Sequence, residues 1–232
     1  MRREQSRAIR LKAGAAAVTV AGYRKGEETR QRILNAALKA FGAAGLKGAT
    51  TRQIAEEAGV NLPALPYYFG GKEGLYLACA REIVSLYERR MLGLLSGVSL
   101  SLKAPMSRTA ARSCLKQVFE ALVDLQIGDH DSAIWMAFVL REIGERGPAF
   151  AILYDHLWRP GVDITAGLIS RIAGESARSE AARIQALLLI SSLSAFTIAR
   201  PIALKYLDWP DTRDARLARI KKAIGEQIER IA

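Results

Sequence analysis

From residue 26 onward, apolar side chains recur at intervals of three and four and never alternate over the length of a strand. That period predicts an all-α chain. Ile33, Leu34, Ala37, Leu38 and Phe41 form one stripe of a first helix expected from about Glu27 to Ala44, with Gly45 to stop it. Thr50 followed by Gln53 is a capping-box start for a second helix, and Gly59 supplies the left-handed residue at its end. A third helix is expected from Leu62, with Asn61 as its N-cap and Pro63 in its first turn. Ile54, Ala55, Ala58, Val60 and Leu65 put small and branched apolar groups where two crossing helices touch. Residues 50–69 therefore read as a helix-turn-helix, a shape that sets its second helix into the DNA major groove.

A fourth helix is expected from Lys72, after the Gly70–Gly71 break, to about Leu95, with Leu75, Tyr76, Cys79, Ile83, Leu86 and Tyr87 on one side. Residues 96–105 read as a loop, and helices follow near 106–127, 132–145, 149–173, 177–207 and 211–231. Gly147–Pro148, Gly174 and Trp209–Pro210 part them, while Pro160–Gly161 and Pro201 are expected to kink or split the helices that contain them. The 177–207 helix is apolar around much of its circumference, so it must bury several sides in a core or against a second subunit. The expected layout is a basic, flexible arm over 1–25, a helix-turn-helix domain over 26–90 that includes the start of a linking helix, and a larger helical ligand-binding and dimerisation domain over 91–232.

Charge sharpens this picture. The chain carries a net +11, and its first 25 residues hold seven Arg or Lys against one Glu. A basic segment ahead of a helix-turn-helix points to a partner bearing phosphates; the alternative is simple solubility. Two lone thiols, Cys79 and Cys114, make neither a disulfide framework nor a metal site, and both read as core residues in a reducing compartment. His130 and His156 lack metal-ligand spacing. No apolar run reaches the ~18 residues of a membrane span. The weak Ala/Gly-rich stretch near the start only imitates a signal peptide. A cytoplasmic protein without membrane, metal or cofactor is expected. No phosphate loop, nucleophile elbow or metalloprotease motif is present, so no enzyme is expected.

These residues, in this order, resemble the TetR family of bacterial transcription regulators. The resemblance covers about residues 27–90: ETRQRILNAALKAFGAAG, the 50–69 motif, and YYFGGKEGLYLAC. The wording of that last stretch, with REIGERGPAF further on, is similar to the CecR/CerR-like branch. The resemblance implies a homodimer whose two recognition helices enter successive major grooves of a near-palindromic double-stranded operator. It also implies a small-molecule effector that changes the spacing of those helices and releases the DNA, which is the action of a ligand-responsive repressor. One departure stands out. Position 66, where the family carries Tyr or another donor, is Pro66. If the third helix starts at Leu62, Pro66 removes the N–H that bonds the Leu62 carbonyl. That motivates an alternative function: a helical ligand-binding or scaffold protein with a degenerate helix-turn-helix that does not bind DNA tightly.

Arg52 is the side chain near the recognition helix able to grip a guanine in bidentate fashion; its alternative is a surface salt bridge. Leu62, Pro63, Ala64 and Tyr67 are the exposed candidates on the third helix, the first three suited to thymine methyls. Thr50, Thr51 and the start of the third helix, with its Asn61 cap, offer hydroxyls and N–H groups to phosphates. Tyr67, Tyr68 and Lys72 match family positions that contact the DNA backbone, and Arg24 and Lys25 are placed to follow the minor groove. A cation at Lys72 opposes the helix dipole, which a phosphate would explain, or Glu73 would compensate. In the second domain Trp135, Phe138, Tyr154, Trp158 and Phe196 are the candidates to line an apolar pocket, with Arg141, Glu142, His156 or Arg200 as polar anchors; the alternative is plain core. Leu188, Leu189, Leu193, Ile220 and Ile224 are expected at a four-helix dimer interface.

Overall fold

A computed structural model describes residues 2–102, 104–128, 132–175 and 179–232. Side chains are described from Arg24 onward, those of residues 132 and 133 excepted. The chain divides into two compact units, residues 1–79 and 80–232. Every regular element among the described residues is helical.

In the first unit α1 spans Arg2–Gly48. Its backbone is helical well ahead of Glu27, so the segment read as a flexible arm continues the helix; the side chains before Arg24 lie outside the described residues. Gly45 leaves helical geometry (φ 71°, ψ 178°) at the expected stop, and one short turn follows. α2 spans Thr51–Ala58 and α3 spans Ala64–Phe69. Ile33, Leu34, Ala37, Leu38 and Phe41 are buried with Ile54, Ala55, Ala58, Leu65, Leu75, Tyr76 and Cys79. Each fully buried aliphatic or Phe side chain contributes about 1.5–3 kcal/mol. Phe41 meets Tyr76 edge to face at 4.8 Å between ring centres, the geometry that the ring quadrupoles favour. α4 spans Lys72–Ser101, so most of the loop expected over 96–105 is helix instead.

In the second unit, α5 (Arg108–Val123) is the central strut, packed against α8 (Arg159–Ala173) and α11 (Ala215–Glu229). α9 (Glu180–Ser191) packs on α8. α6 is Ser132–Glu145, α7 is Phe150–Leu153 and α10 is Arg200–Tyr206. Two five-residue π-helical segments extend α5 and α7, at Asp124–Gly128 and Tyr154–Trp158. The expected split at Pro160 takes that form: the ladder widens just ahead of the proline, and Pro160 then sits in the first turn of α8, where its missing N–H is harmless. The 177–207 helix is likewise divided. Its start at Ala177 lies outside the described residues, as do residues 129–131, which include His130. Ser192 Oγ donates to the Leu189 carbonyl at 2.6 Å and Thr197 Oγ1 to that of Leu193 at 3.2 Å. Such back-bonding competes with the helical ladder, which tightens to a 3₁₀ turn over Ser192–Ala195 before α10 restarts with Pro201 in its first turn.

The expected interface set is corrected here. Leu189, Leu193, Ile220 and Ile224 are buried inside the protomer, the last two with Ile228 on the face of α11 that covers α5. Of the five, only Leu188 is exposed, at 68 %. The face that α9 and α10 leave uncovered carries instead Ile184, Leu187, Leu188, Ile198, Ile202 and Tyr206. Among the described residues no single helix is long and apolar enough to cross a membrane; the stretch Glu180–Ala195 with Arg200–Tyr206 is apolar enough only as a pair, and it bends by 67°.

The strap between α10 and α11 is tied down by polar contacts. Arg213 donates to both oxygens of Asp211 from its backbone N–H and guanidinium, which holds that carboxyl below the usual range. Thr212 is buried and donates to the Ile127 carbonyl at 3.3 Å. Thr212→Val keeps the shape and removes that bond. It is expected to cost about 1–3 kcal/mol, because a buried carbonyl then lacks its partner. Urea unfolding monitored by circular dichroism checks this, and an unchanged midpoint contradicts it.

Candidate nucleic-acid interface

Thr50 starts α2 with the full reciprocal cap. Its Oγ1 accepts from Gln53 N–H at 3.2 Å and donates to Gln53 Oε1 at 2.9 Å, while its own N–H donates to the same Oε1 at 3.2 Å. That hydroxyl is therefore engaged within the protein rather than free for a phosphate. Gly59 ends α2 at φ 62°, ψ 43°, a conformation that costs glycine nothing.

The turn into α3 differs from the expectation, and the difference matters. α3 begins at Ala64, and Asn61 supplies no side-chain cap. Its carbonyl accepts from Ala64 N–H at 3.0 Å, and the Leu62 carbonyl accepts from Leu65 N–H at 3.2 Å. Pro66 is thus the third residue of the helix, where its N–H would have had no helical partner in any case. The Leu62 carbonyl is already satisfied. The two prolines fall in a register where neither removes a ladder bond, so the lost bond to the Leu62 carbonyl that motivated a degenerate motif does not arise. The same geometry leaves fewer N–H groups for a phosphate at this helix start. Those of Ala64 and Leu65 are bonded, and Pro63 and Pro66 have none.

Outward from this frame, Leu62, Pro63, Pro66 and Tyr67 are exposed, Tyr67 by 82 %, and Ala64 is half-buried. Arg52 stands fully out from α2 and pairs with Glu56 at 3.2 Å. An exposed pair one turn apart on a helix contributes at most about 0.5 kcal/mol, so the guanidinium is readily given up to a better acceptor. Thr51 is half-buried at the start of α2. Arg24 lies one turn from Glu28 at 3.7 Å, and Lys25 is exposed. Tyr68 is half-buried with its hydroxyl near Gly26, and Arg30 lies 5.4 Å over the Phe69 ring while pairing with Glu27 at 3.5 Å. Lys72 Nζ donates to the Lys47 carbonyl at 3.4 Å. Its charge therefore meets the negative end of α1, an explanation that neither a phosphate nor Glu73 is needed to supply.

Sequence reasoning missed Gly74. A Cβ there would stand 1.9 Å from the Phe69 carbonyl oxygen, because α4 starts directly against the last residue of α3. A second glycine in the GKEGLY stretch is the signal that was available.

The expected effector residues do not converge. Trp135 and Phe138 are core, with the Trp135 indole N–H buried without an acceptor among the described residues. Arg141 pairs with Glu145 at 2.6 Å. Tyr154 and Trp158 flank Phe150, stacked and tilted at 6.0 and 5.9 Å, and His156 is exposed. Phe196 stacks on Trp209 at 6.2 Å, and Arg200 is half-buried at the start of α10. A cavity of about 420 Å³ lies between the end of α10 and α11, lined by Trp209, Arg213, Arg216 and Arg219 among others, and includes none of these candidates.

Comparison with known proteins bears on both units. Residues 33–79 match the model of bacterial regulatory proteins of the tetR family. Residues 111–232, more than half the chain, match that of the C-terminal domain of the HTH-type transcriptional dual regulator CecR. CecR of Shigella flexneri is 27% identical over 208 residues, 89% of this chain and 92% of that protein. Among solved structures, FadR of Bacillus subtilis in complex with stearoyl-CoA superposes with a TM-score of 0.55 at 17% identity, covering 88% of this chain and 99% of FadR. AibR in complex with isovaleryl coenzyme A and operator DNA superposes with a TM-score of 0.58 at 15% identity, covering 86% and 97%. At those identities the two structures are similar in fold.

Proposed function

Because the chain belongs to the TetR family of bacterial transcriptional regulators, with a C-terminal domain of the CecR type, it is a DNA-binding regulator, and we propose that it is a ligand-responsive repressor. In this reading two copies bind a near-palindromic operator through α3 and its flanks, and a small molecule held by residues 91–232 releases them. The observation that carries it is the completed bihelical unit: a fully capped α2, a left-handed Gly59 and an α3 that loses no ladder bond to its prolines and whose outer face no other described element covers. Arg52 is assigned to guanine readout. Thr51, Tyr67, Tyr68, Arg24 and Lys25 are assigned to the backbone. The small-molecule response is supported by the two similar structures, FadR and AibR, which hold coenzyme A thioesters.

The dimer is assigned to the uncovered face of α9 and α10 rather than to α11. Exposed apolar patches of this extent on a soluble helical unit mark association surfaces, and an obligate interface buries on the order of 2,000 Å². A twofold dimer in turn requires half-sites about one helical turn apart or slightly more.

Footprinting the protein on DNA upstream of its own gene tests the reading. A protected near-palindrome is expected, with affinity falling about a thousandfold or more between 50 and 200 mM salt if six or more phosphates are contacted. Absence of a protected, salt-sensitive site would overturn it. The degenerate-motif alternative predicts tight binding only after Pro66→Tyr. With Pro66 in the first turn of α3, the native protein is expected to bind its operator tightly without that substitution.

A further inference from the structure

The outer surface of α3 and the turn before it is almost devoid of hydrogen-bonding capacity. Four exposed or half-buried side chains there, Leu62, Pro63, Ala64 and Pro66, are hydrocarbon. From position 63 to position 67 the backbone adds no free donor. The N–H groups of Ala64, Leu65 and Tyr67 donate to the carbonyls of Asn61, Leu62 and Pro63 at 3.0, 3.2 and 3.3 Å, and positions 63 and 66 carry no N–H at all. Asn61 and the backbone N–H groups of Asn61 and Leu62 before the helix, with the Tyr67 hydroxyl, are the polar groups left on this surface. The Arg52 guanidinium stands on α2.

The major-groove edges of the four base pairs sort partners for such a surface. Guanine presents two acceptors and needs a donor fork, cytosine presents a donor and needs an acceptor, and adenine needs both at once. Thymine alone presents an apolar group, its C5 methyl. A hydrocarbon face pressed onto guanine or cytosine leaves their polar edges unpaired in a desolvated contact, which is costly. Pressed onto thymine methyls, it buries apolar surface on both sides.

We infer that the recognition helix selects its operator by packing Leu62, Pro63, Ala64 and Pro66 on thymine C5 methyl groups, with hydrogen-bonded base readout left to residues off the helix such as Arg52. This rests on the DNA-binding reading above and specifies which base that reading contacts. The half-sites recognised are then thymine-bearing at their centre, and the contact is blind to pairing: it sees the methyl group, not the Watson–Crick edge.

The test exploits that property. Deoxyuridine pairs as thymidine does and lacks only the methyl, so the footprinted operator is made in two forms, one with thymines and one with deoxyuridine throughout both half-sites. Affinity for the uracil duplex is expected to fall about fourfold for each packed methyl that is removed, hence roughly fifteenfold when each half-site is deprived of one. Leu62 is exposed and outside the core, so Leu62→Ala is expected to stay folded and to bind the two duplexes more nearly alike. Equal binding of both duplexes by the native protein, with the footprint and salt dependence intact, overturns the inference and leaves the regulator reading standing. So does a thymine preference undiminished in Leu62→Ala. Failure to protect any site on the thymine duplex removes both.

Discussion

Arginine at positions 188 and 202 together is expected to give a folded monomer that binds the operator 10²–10⁴-fold more weakly than the native protein, the range by which a second linked contact multiplies affinity. Leu188 and Ile202 are 68 % and 73 % exposed. Replacing them opens no cavity in the protomer, and each long basic side chain is solvated at once. In a dimer built on the α9–α10 face the same side chains would be desolvated against their mates, two like charges from each copy, at a cost no packing offsets. Leu189→Arg is the necessary contrast. That side chain is only 8 % exposed and belongs to the core, so a charge there is expected to lower the melting temperature or prevent folding. Sedimentation equilibrium, circular dichroism and operator titration separate the two outcomes. A doubly substituted protein that remains a dimer would show that these helices are not the interface.

That contrast also marks how far the sequence could be read. The elements governed by local chemistry were legible: the Thr50–Gln53 cap, the left-handed Gly59 and the apolar stripe from Ile33 to Phe41 all lie where their side chains require. The register of α3 was misread although the information was present. Two prolines three residues apart are both harmless only if the helix begins after Pro63, and a start at Leu62 had to place one of them in the interior. The interface was illegible for a different reason. Ile220, Ile224 and Ile228 form a stripe as suitable for a neighbouring subunit as for α5, and periodicity reports that a face is buried, not by what. The aromatic and polar residues of the expected pocket carry the same ambiguity, since an aromatic at helical spacing fills a core or a cavity with the same signature. Polar ties across long sequence separations, such as Arg112 to the Ile231 carbonyl at 2.6 Å or Thr212 to Ile127, leave no trace in a sequence pattern.

Gly74→Ala addresses the contact most sensitive to a single methyl group. α3 reverses into α4 through Gly70 and Gly71, at φ 73° and 121°, both in the region that only glycine enters without strain. The reversal is so tight that a Cβ on Gly74 would lie 1.9 Å from the Phe69 oxygen and 3.1 Å from its carbonyl carbon. The obstacle is backbone, not the end of a flexible side chain, so either α3 or the first turn of α4 must move. Overpacking of this kind costs about 1–3 kcal/mol. Here the displaced element is also the one assigned to the operator in the proposed function, so operator affinity is expected to fall together with the melting temperature. Gly93 and Gly97 lie in the same helix with open space around their missing Cβ atoms. Alanine there is expected to stabilise the protein, by up to about 1 kcal/mol each, through helix propensity alone. Thermal melts of the three variants therefore diverge in sign if the α3–α4 reversal is as close as the structure places it. If Gly74→Ala instead melts with Gly93→Ala and Gly97→Ala above the native protein, the glycine serves no steric purpose and the recognition helix is positioned by the buried Leu65 and Leu75 instead.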